Sequence, residues 1–162
     1  MICADLHTFA AAVAPGQGVL GLDLGTKTIG IAVSDWRLGT ASPLETLRRS
    51  KFRADADALL ARMAEREIGG LVLGLPRNMD GSEGPRAQST RAFARNLAGV
   101  TDVPIAFWDE RLSTVAAERA LLEADTSRAR RAEVIDHVAA AYILQGALDR
   151  MAHMRAEEMN SP

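Results

Sequence analysis

The segment from Val19 to Asp35 constrains the fold more than any other part of the chain. Two alternating apolar stretches are separated by Gly25-Thr26-Lys27-Thr28, a pattern that predicts two β-strands joined by a short turn. The first strand carries an acid, Asp23, among residues that belong in a sheet. Because alternate side chains point to opposite faces, Asp23 shares its face with Gly21, which leaves room for a ligand or another backbone. Such an acid lies either on a solvated face or in a site that supplies a cation or several hydrogen-bond donors.

The rest of the chain alternates between strand and helix patterns. Residues 40–47 predict a third strand, which Pro43 places at a sheet edge or makes irregular. Periodic apolar residues predict further elements, namely helices from 54 to the glycines at 69–70, over 86–98, from 113 or 114 to about 123 and over 132–151, with strands at 71–75 and 103–108. This order predicts an α/β fold. Its mixed five-stranded sheet begins with an antiparallel three-strand meander, continues with parallel strands and carries helices on both faces.

Length and composition predict one globular domain. The chain has 162 residues, of which 48% are apolar and 25% charged. We expect a folded domain over 18–152, a flexible N-terminal extension over 1–17, a basic loop over 125–131 and a flexible tail over 153–162. The only cysteine, Cys3, excludes a disulfide framework and fits the reducing cytoplasm. No stretch approaches the length of a transmembrane helix, so no membrane partner is expected.

The charge distribution is informative only locally. A formal net charge of −2 argues against nucleic-acid affinity driven by bulk charge. Basic residues nevertheless cluster at 48–53 and at 128–131. Each cluster is either a solvated loop or helix end, or a local patch for an anionic partner.

Three acidic positions are predicted to converge. The mixed sheet brings the ends of its first and fifth strands near the start of the last helix, and these places carry Asp23, Glu110 and Asp136. Asp109 is the alternative to Glu110 if the strand register points Glu110 away. A helix-start acid such as Asp136 often only complements the helix dipole. Three carboxylates in one cleft would repel one another unless a divalent cation held them, and hard oxygen ligands suit Mg²⁺ or Mn²⁺.

Four blocks of the sequence resemble the signature blocks of the YqgF/RuvX family. They are Gly21-Leu22-Asp23-Leu24-Gly25-Thr26-Lys27-Thr28-Ile29-Gly30, Gly74-Leu75-Pro76-Arg77-Asn78-Met79-Asp80-Gly81-Ser82, Asp109-Glu110-Arg111-Leu112-Ser113-Thr114 and Asp136-His137-Val138-Ala139-Ala140. The resemblance covers roughly residues 18–149, and four blocks in order are far more specific than one. Ser113 stands where the family more often has Thr, and Arg130 or Arg131 stands near a usual Lys. Neither departure touches the acids.

The resemblance implies an RNase H-like fold and a nuclease. The family is described as pre-16S ribosomal RNA nucleases and also as Holliday junction resolvases, and by analogy Asp23, Glu110 and Asp136 are catalytic acids that bind Mg²⁺ or Mn²⁺. Asp23 would bridge two metals and the other two acids would each complete a coordination shell. The implied partners are precursor rRNA, branched DNA and the ribosome. A monomer or weak dimer is expected, because no dimer helix is obvious.

Five further residues are candidates for substrate binding. Lys27 is placed to contact a phosphate, although a solvated turn lysine fits equally well. Arg77, Asn78 and Ser82 would line a substrate groove, unless they form a plain surface loop. Arg111 pairs either with a carboxylate, which we favour, or with the substrate backbone. His137 follows Asp136 directly, but one helical step turns it about 100° away, so it is interpreted as a bystander.

Two functions from other classes compete with the nuclease. The first is an actin-like or sugar-kinase-like nucleotide-binding protein, because Asp23-Leu24-Gly25-Thr26-Lys27 also looks like the first phosphate loop of those proteins. They enclose a nucleotide between two domains, and this chain has room for one. The second is a non-catalytic nucleic-acid or ribosome-associated factor, against which the intact acid set argues. The sequence contains neither a Rossmann fingerprint nor a Walker P-loop.

Overall fold

The computed structural model describes residues 1–112 and 128–160, with side chains in the second range from residue 135 onward. Five strands are present in this part of the chain: β1 (Gly18–Leu24), β2 (Thr28–Ser34), β3 (Ala41–Arg48), β4 (Ile68–Leu75) and β5 (Ile105–Asp109). The helices are α1 (Leu6–Ala12), α2 (Phe52–Glu65), α3 (Pro85–Ala98) and α4 (Arg128–Met159), with a 3₁₀ turn at Glu110–Leu112. The helix predicted from Ser113 or Thr114 lies outside the described residues.

The strands form one mixed sheet in the order β3-β2-β1-β4-β5. β1, β2 and β3 pair antiparallel, whereas β4 is parallel to both β1 and β5. The predicted meander followed by parallel strands is therefore confirmed. The irregular strand that Pro43 predicts is also found, because the β2–β3 register shifts between Ile31 and Ala32 and β3 is the edge strand.

Two apolar layers cover the two faces of the sheet. On one face α2 and α3 pack over Leu20, Leu22 and the neighbouring strands, and on the other α1 and α4 pack over Val19 and Val72. β1 is buried along its whole length because both faces are covered. Helices on both faces, as predicted, place Asp23 on the side of α4.

The N-terminal residues are ordered, and their prediction as a flexible extension is corrected. Ile2 forms a parallel bridge to Ile105 at the β5 edge, and Phe9 of α1 is fully buried in the core. Gly70, predicted to stop α2, instead lies in β4, where a Cβ atom would come within 2.8 Å of the Phe9 ring. The glycine is therefore explained by the close approach of α1, and α2 ends before Glu67, whose φ is +53°.

The last helix is longer than its pattern predicts. α4 begins at Arg128 and ends at Met159, whereas the prediction was 132–151 with a polar loop before it and a polar tail after it. Its apolar stripe, including Ile143, Leu144 and Leu148, packs on the sheet. After Met154 the exposed polar residues continue the helix, so the apolar periodicity ends before the backbone hydrogen bonds do. Within the described residues, no helix is both long enough and apolar enough to cross a membrane.

Candidate active site

Asp23 occupies the centre of the sheet. Its residue is only 5% exposed, near the carboxyl end of β1, the middle strand of the sheet. The predicted alternation is confirmed, because Leu20, Leu22 and Leu24 pack on the α2/α3 side. The room beside Gly21 is used by α4, since a Cβ atom there would lie 2.6 Å from Leu144 Cβ. Asp23, two residues further on, therefore faces the same helix.

Gly30 brings Asp136 over the strand beside Asp23. It is the register partner of Asp23 in the β1–β2 pair. A side chain at Gly30 would overlap the backbone carbonyl of Asp136, so α4 lies directly on this glycine at Asp136, eight residues after the helix begins at Arg128. The Asp136 carboxylate is held there by Thr28, whose Oγ1 donates to Asp136 Oδ2 at 2.6 Å. Asp136, predicted at the start of the last helix, instead lies within α4 and is fixed on β2 next to β1.

Gly74 plays the matching part on the other side of Asp23. Leu22 and Leu73 are register partners, so Gly74 and Asp23 lie beside each other in β4 and β1. A Cβ atom at Gly74 would lie 2.8 Å from Glu110 Oε1 and 2.5 Å from Ile143 Cδ1. The Glu110 carboxylate therefore lies over β4 on the α4 side of the sheet, which is the side that Asp23 faces.

The structure thus places the Asp136 backbone over the strand on one side of Asp23 and the Glu110 carboxylate over the strand on the other. Neighbouring strands are about 4.8 Å apart. Gly30, Gly74 and Thr28 were missed as functional residues. The signal was present for two of them, because Thr28 and Gly30 alternate on one face of the predicted second strand. Gly74 gave no signal, since its role depends on which strand neighbours β1.

Asp109, the alternative to Glu110, forms ion pairs with Arg111 and Arg77. Its register partner is Leu75, and its carboxylate accepts hydrogen bonds from Arg111 Nη2 at 2.6 Å and Nε at 3.1 Å. Arg111 thereby lowers the pKa of Asp109, and Arg77 Nη1 lies 3.7 Å from the same carboxylate. The predicted ion pair of Arg111 is confirmed.

A second ion-pair group ties the β4–α3 loop to α3. Glu83 accepts from Arg91 Nε at 2.5 Å and Nη2 at 2.7 Å, and from Arg77 Nη2 at 3.1 Å. These bonds, those of Arg91 above all, lower the pKa of Glu83 to about 2. The Arg91 guanidinium also lies 4.9 Å from the centre of the Phe107 ring.

Removing the Glu83 charge is expected to change how stability depends on pH. A carboxyl whose pKa is about 2 when folded and 4.5 when unfolded stabilises the fold fully above pH 4.5 and loses that contribution as the pH falls toward 2. Glu83→Gln should therefore unfold at lower urea concentration than the natural protein at pH 7, and the gap should narrow at pH 3. Glu65→Gln, whose carboxylate is 63% exposed, is the matched control and should show no such gap. A difference in the urea concentration of unfolding that stays constant with pH would contradict the lowered pKa of Glu83.

The other substrate-binding candidates lie at the same end of the sheet. Lys27 is exposed in the β1–β2 turn. Asn78 Nδ2 donates to Ser82 Oγ at 2.9 Å, and Ser82 Oγ donates to Asp80, so these side chains brace their own turn. His137 Nδ1 lies 2.9 Å from Thr46 Oγ1 of β3 and takes no part in the hydrogen bond between Thr28 and Asp136. This contact fits the interpretation of His137 as a bystander.

The donor set suits a hard divalent cation. Asp23, Glu110 and Asp136 supply three carboxylates, and the backbone carbonyl of Asp136 and the Glu110 carboxylate use the space that Gly30 and Gly74 leave free. No cluster of three or more His, Cys, Asp or Glu side chains is already assembled for a metal in the described ranges. Mg²⁺ commonly takes one or two carboxylates together with waters and substrate phosphates, so a closed protein cage is not required. The residue types fit such an ion through the chemistry of their oxygen donors.

The fold and its central carboxylates define the RNase H-like class. The structure resembles "T. thermophilus RuvC in complex with Holliday junction substrate" with a TM-score of 0.53 and 15% identity, over 84% of this chain and 96% of that one. At that identity the likeness concerns the fold, and it confirms the predicted RNase H-like architecture.

The chain belongs to the YqgF/RuvX family. Residues 17–150 match the family described as "RuvX: Holliday junction resolvase". A protein from Ruegeria pomeroyi named "Putative pre-16S rRNA nuclease" is 71% identical over 95% of this chain and 100% of its own length. A protein of the same name from Paracoccus denitrificans is 70% identical over 98% of this chain and 100% of its own. The family is one of nucleases, so the predicted hydrolase class is confirmed.

Proposed function

We propose that this protein is a metal-dependent endonuclease of the cytoplasm that hydrolyses phosphodiester bonds in the maturation of the 5′ end of pre-16S rRNA. The observation that carries the proposal is the row formed by Gly30, Asp23 and Gly74, over which Asp136 and Glu110 are placed. Gly30 admits the backbone of Asp136, and Gly74 leaves room for Glu110 Oε1 as well as Ile143, so each glycine beside the buried acid lets another acidic residue approach it.

Each acid has a distinct task in this proposal. Asp23, Glu110 and Asp136 would hold Mg²⁺ or Mn²⁺, which when bound supplies an activated water and stabilises the leaving oxygen. Asp23 offers its carboxylate from the rigid centre of the sheet. Asp136 is oriented by the Thr28 hydroxyl, and Glu110 follows β5 directly, so backbone hydrogen bonding of the sheet limits its movement. Burial of Asp23 under α4 keeps water from its inner side.

The substrate rests on the relatives. The names of the Ruegeria and Paracoccus proteins support precursor rRNA as the substrate. The description of the matched family supports a second candidate, resolution of four-way DNA junctions. A resolvase cuts two strands symmetrically and would act as a dimer, whereas an RNA nuclease can act as a monomer. Oligomeric state on the substrate therefore separates the candidates.

Cleavage of two labelled substrates tests the proposal. The natural protein is incubated with a precursor rRNA fragment and with a four-way DNA junction, each with Mn²⁺ or with EDTA. We expect cleavage of the rRNA fragment with Mn²⁺ only, by a monomer in gel filtration. Preferred cleavage of the junction by a dimer would establish the resolvase instead. Binding of either nucleic acid without cleavage would contradict the enzyme and support a non-catalytic factor.

A further inference from the structure

A basic groove of about 200 Å³ lies beside the candidate active site, between the carboxyl end of β1 and the start of α3. Its walls include Arg49 from the segment after β3 and Arg86 from the first turn of α3. Arg49 belongs to the basic cluster at 48–53, for which the sequence suggested either a solvated loop or a patch for an anionic partner.

Both arginines are held in place by consecutive backbone carbonyls. Arg86 Nη2 donates to the carbonyl of Leu24 at 3.3 Å, and Arg49 Nη1 donates to the carbonyl of Gly25 at 2.7 Å. The Arg49 guanidinium also lies 5.5 Å from the centre of the Phe93 ring. A guanidinium has five N–H donors, so one bond to a carbonyl leaves most of its donor capacity for another partner. Fixed arginines lose little conformational entropy when an anion binds.

These two arginines differ from others near the sheet edge in the partners that they bind. Arg77, Arg91 and Arg111 each form an ion pair with a carboxylate. In the part of the chain that the structure describes, Arg49 and Arg86 form none, and both bond to neutral carbonyls. Hydroxyl groups of Thr26 and Ser89 also line the groove, and both residues are exposed. Two guanidinium groups with nearby hydroxyls suit the oxygens of a phosphate group.

The groove and the acids occupy opposite faces of one sheet edge. Leu24 and Gly25, which anchor the arginines, directly follow Asp23. Leu24 packs in the α2/α3 layer and Thr90 belongs to α3, whereas Asp23 faces α4. A nucleic-acid strand that crosses the carboxyl edge of β1 would therefore meet the acids on one side and the arginines on the other.

We propose that the groove of Arg49 and Arg86 binds a backbone phosphate of the substrate strand next to the one that is cleaved. This subsite rests on the proposed nuclease function and adds a sequence-independent contact that sets the register of the strand on Asp23. A phosphate contact of this kind positions the strand and reads no base.

The test measures binding, so that it does not depend on catalysis. Affinity for a labelled single-stranded precursor rRNA fragment is measured in EDTA at several salt concentrations, for the natural protein, Arg49→Gln, Arg86→Gln and the double variant. Each single variant should bind about tenfold more weakly. The slope of log K against log salt should become shallower by about 0.7 when one phosphate contact is lost. Arg95→Gln, exposed at the far end of α3, is the matched control and should bind like the natural protein.

A chemically altered RNA locates the contact. Single neutral methylphosphonates are introduced in turn at the phosphates flanking the cleaved bond. One position should weaken binding by the natural protein and have no further effect on the double variant. Urea unfolding of each variant verifies that the fold is retained, and Arg86→Gln serves if Arg49→Gln unfolds.

The outcomes separate this proposal from the proposed function. Equal affinities and salt slopes for natural and variant proteins, with Mn²⁺-dependent cleavage intact, would overturn the subsite and leave the nuclease standing. A natural protein that neither binds nor cleaves the RNA or the junction would overturn both.

Discussion

Replacing Asp23 by asparagine is expected to reduce Mn²⁺-dependent cleavage by at least about 100-fold. Asparagine keeps the size of the side chain and removes the negative charge that a divalent cation requires. Because Asp23 is buried at the centre of the sheet, no neighbouring carboxylate can move into its place without displacing β1. The measurement is the initial rate of cleavage of the labelled precursor rRNA fragment.

Asp55→Asn is the matched control for this substitution. Asp55 is also 5% exposed, but it caps the entry to α2 by accepting hydrogen bonds from the backbone N–H of Ser50 at 3.0 and 3.3 Å. We expect Asp55→Asn to lower the free energy of unfolding by about 1 kcal/mol and to cleave normally. Asp23→Asn should instead keep its free energy of unfolding and lose cleavage. Equal cleavage by the natural protein and Asp23→Asn would place the site elsewhere or reveal a contaminating nuclease.

The second large effect is expected at Gly30. A methyl group added there overlaps the backbone carbonyl of Asp136, and a helix backbone cannot turn aside as a side chain can. Gly30→Ala should therefore push α4 away from the sheet at Asp136, lowering the free energy of unfolding by about 3 kcal/mol and abolishing cleavage. Urea denaturation and the cleavage assay measure the two effects.

Two other glycines provide the comparison. Gly74→Ala would contact Ile143 Cδ1 and Glu110 Oε1, the ends of flexible side chains, so we expect reduced cleavage with a smaller loss of stability. Gly39→Ala is the control, since its Cβ atom would lie 3.9 Å from the nearest atoms, the Asp35 carboxylate oxygens. It should behave like the natural protein. Normal cleavage by Gly30→Ala would show that the position of Asp136 does not matter for the reaction.

Local patterns predicted most of the sheet because alternation is a property of neighbouring residues. Asp23 and the hairpin around it could be placed correctly from residues 19–35 alone. The flexible N-terminal extension was wrong because α1 is short and only mildly apolar, and its burial depends on a gap over Gly70 in a distant strand. The length of α4 was underestimated because its ends are polar on all sides, so periodicity gave no boundary.

The sequence by itself determined the acids and the order of the elements that carry them. Their residue types, the four signature blocks and the strand alternation are all readable along the chain. Only the tertiary structure showed that Asp109 pairs with Arg111 while Glu110 lies over Gly74, since these positions depend on how β5 pairs with β4 and where Arg111 lies. It also showed that, among the residues it describes, Arg49 and Arg86 bond to backbone carbonyls and form no ion pair. Both findings rest on contacts between residues far apart in the chain, which backbone pairing and side-chain packing create and which local sequence does not encode.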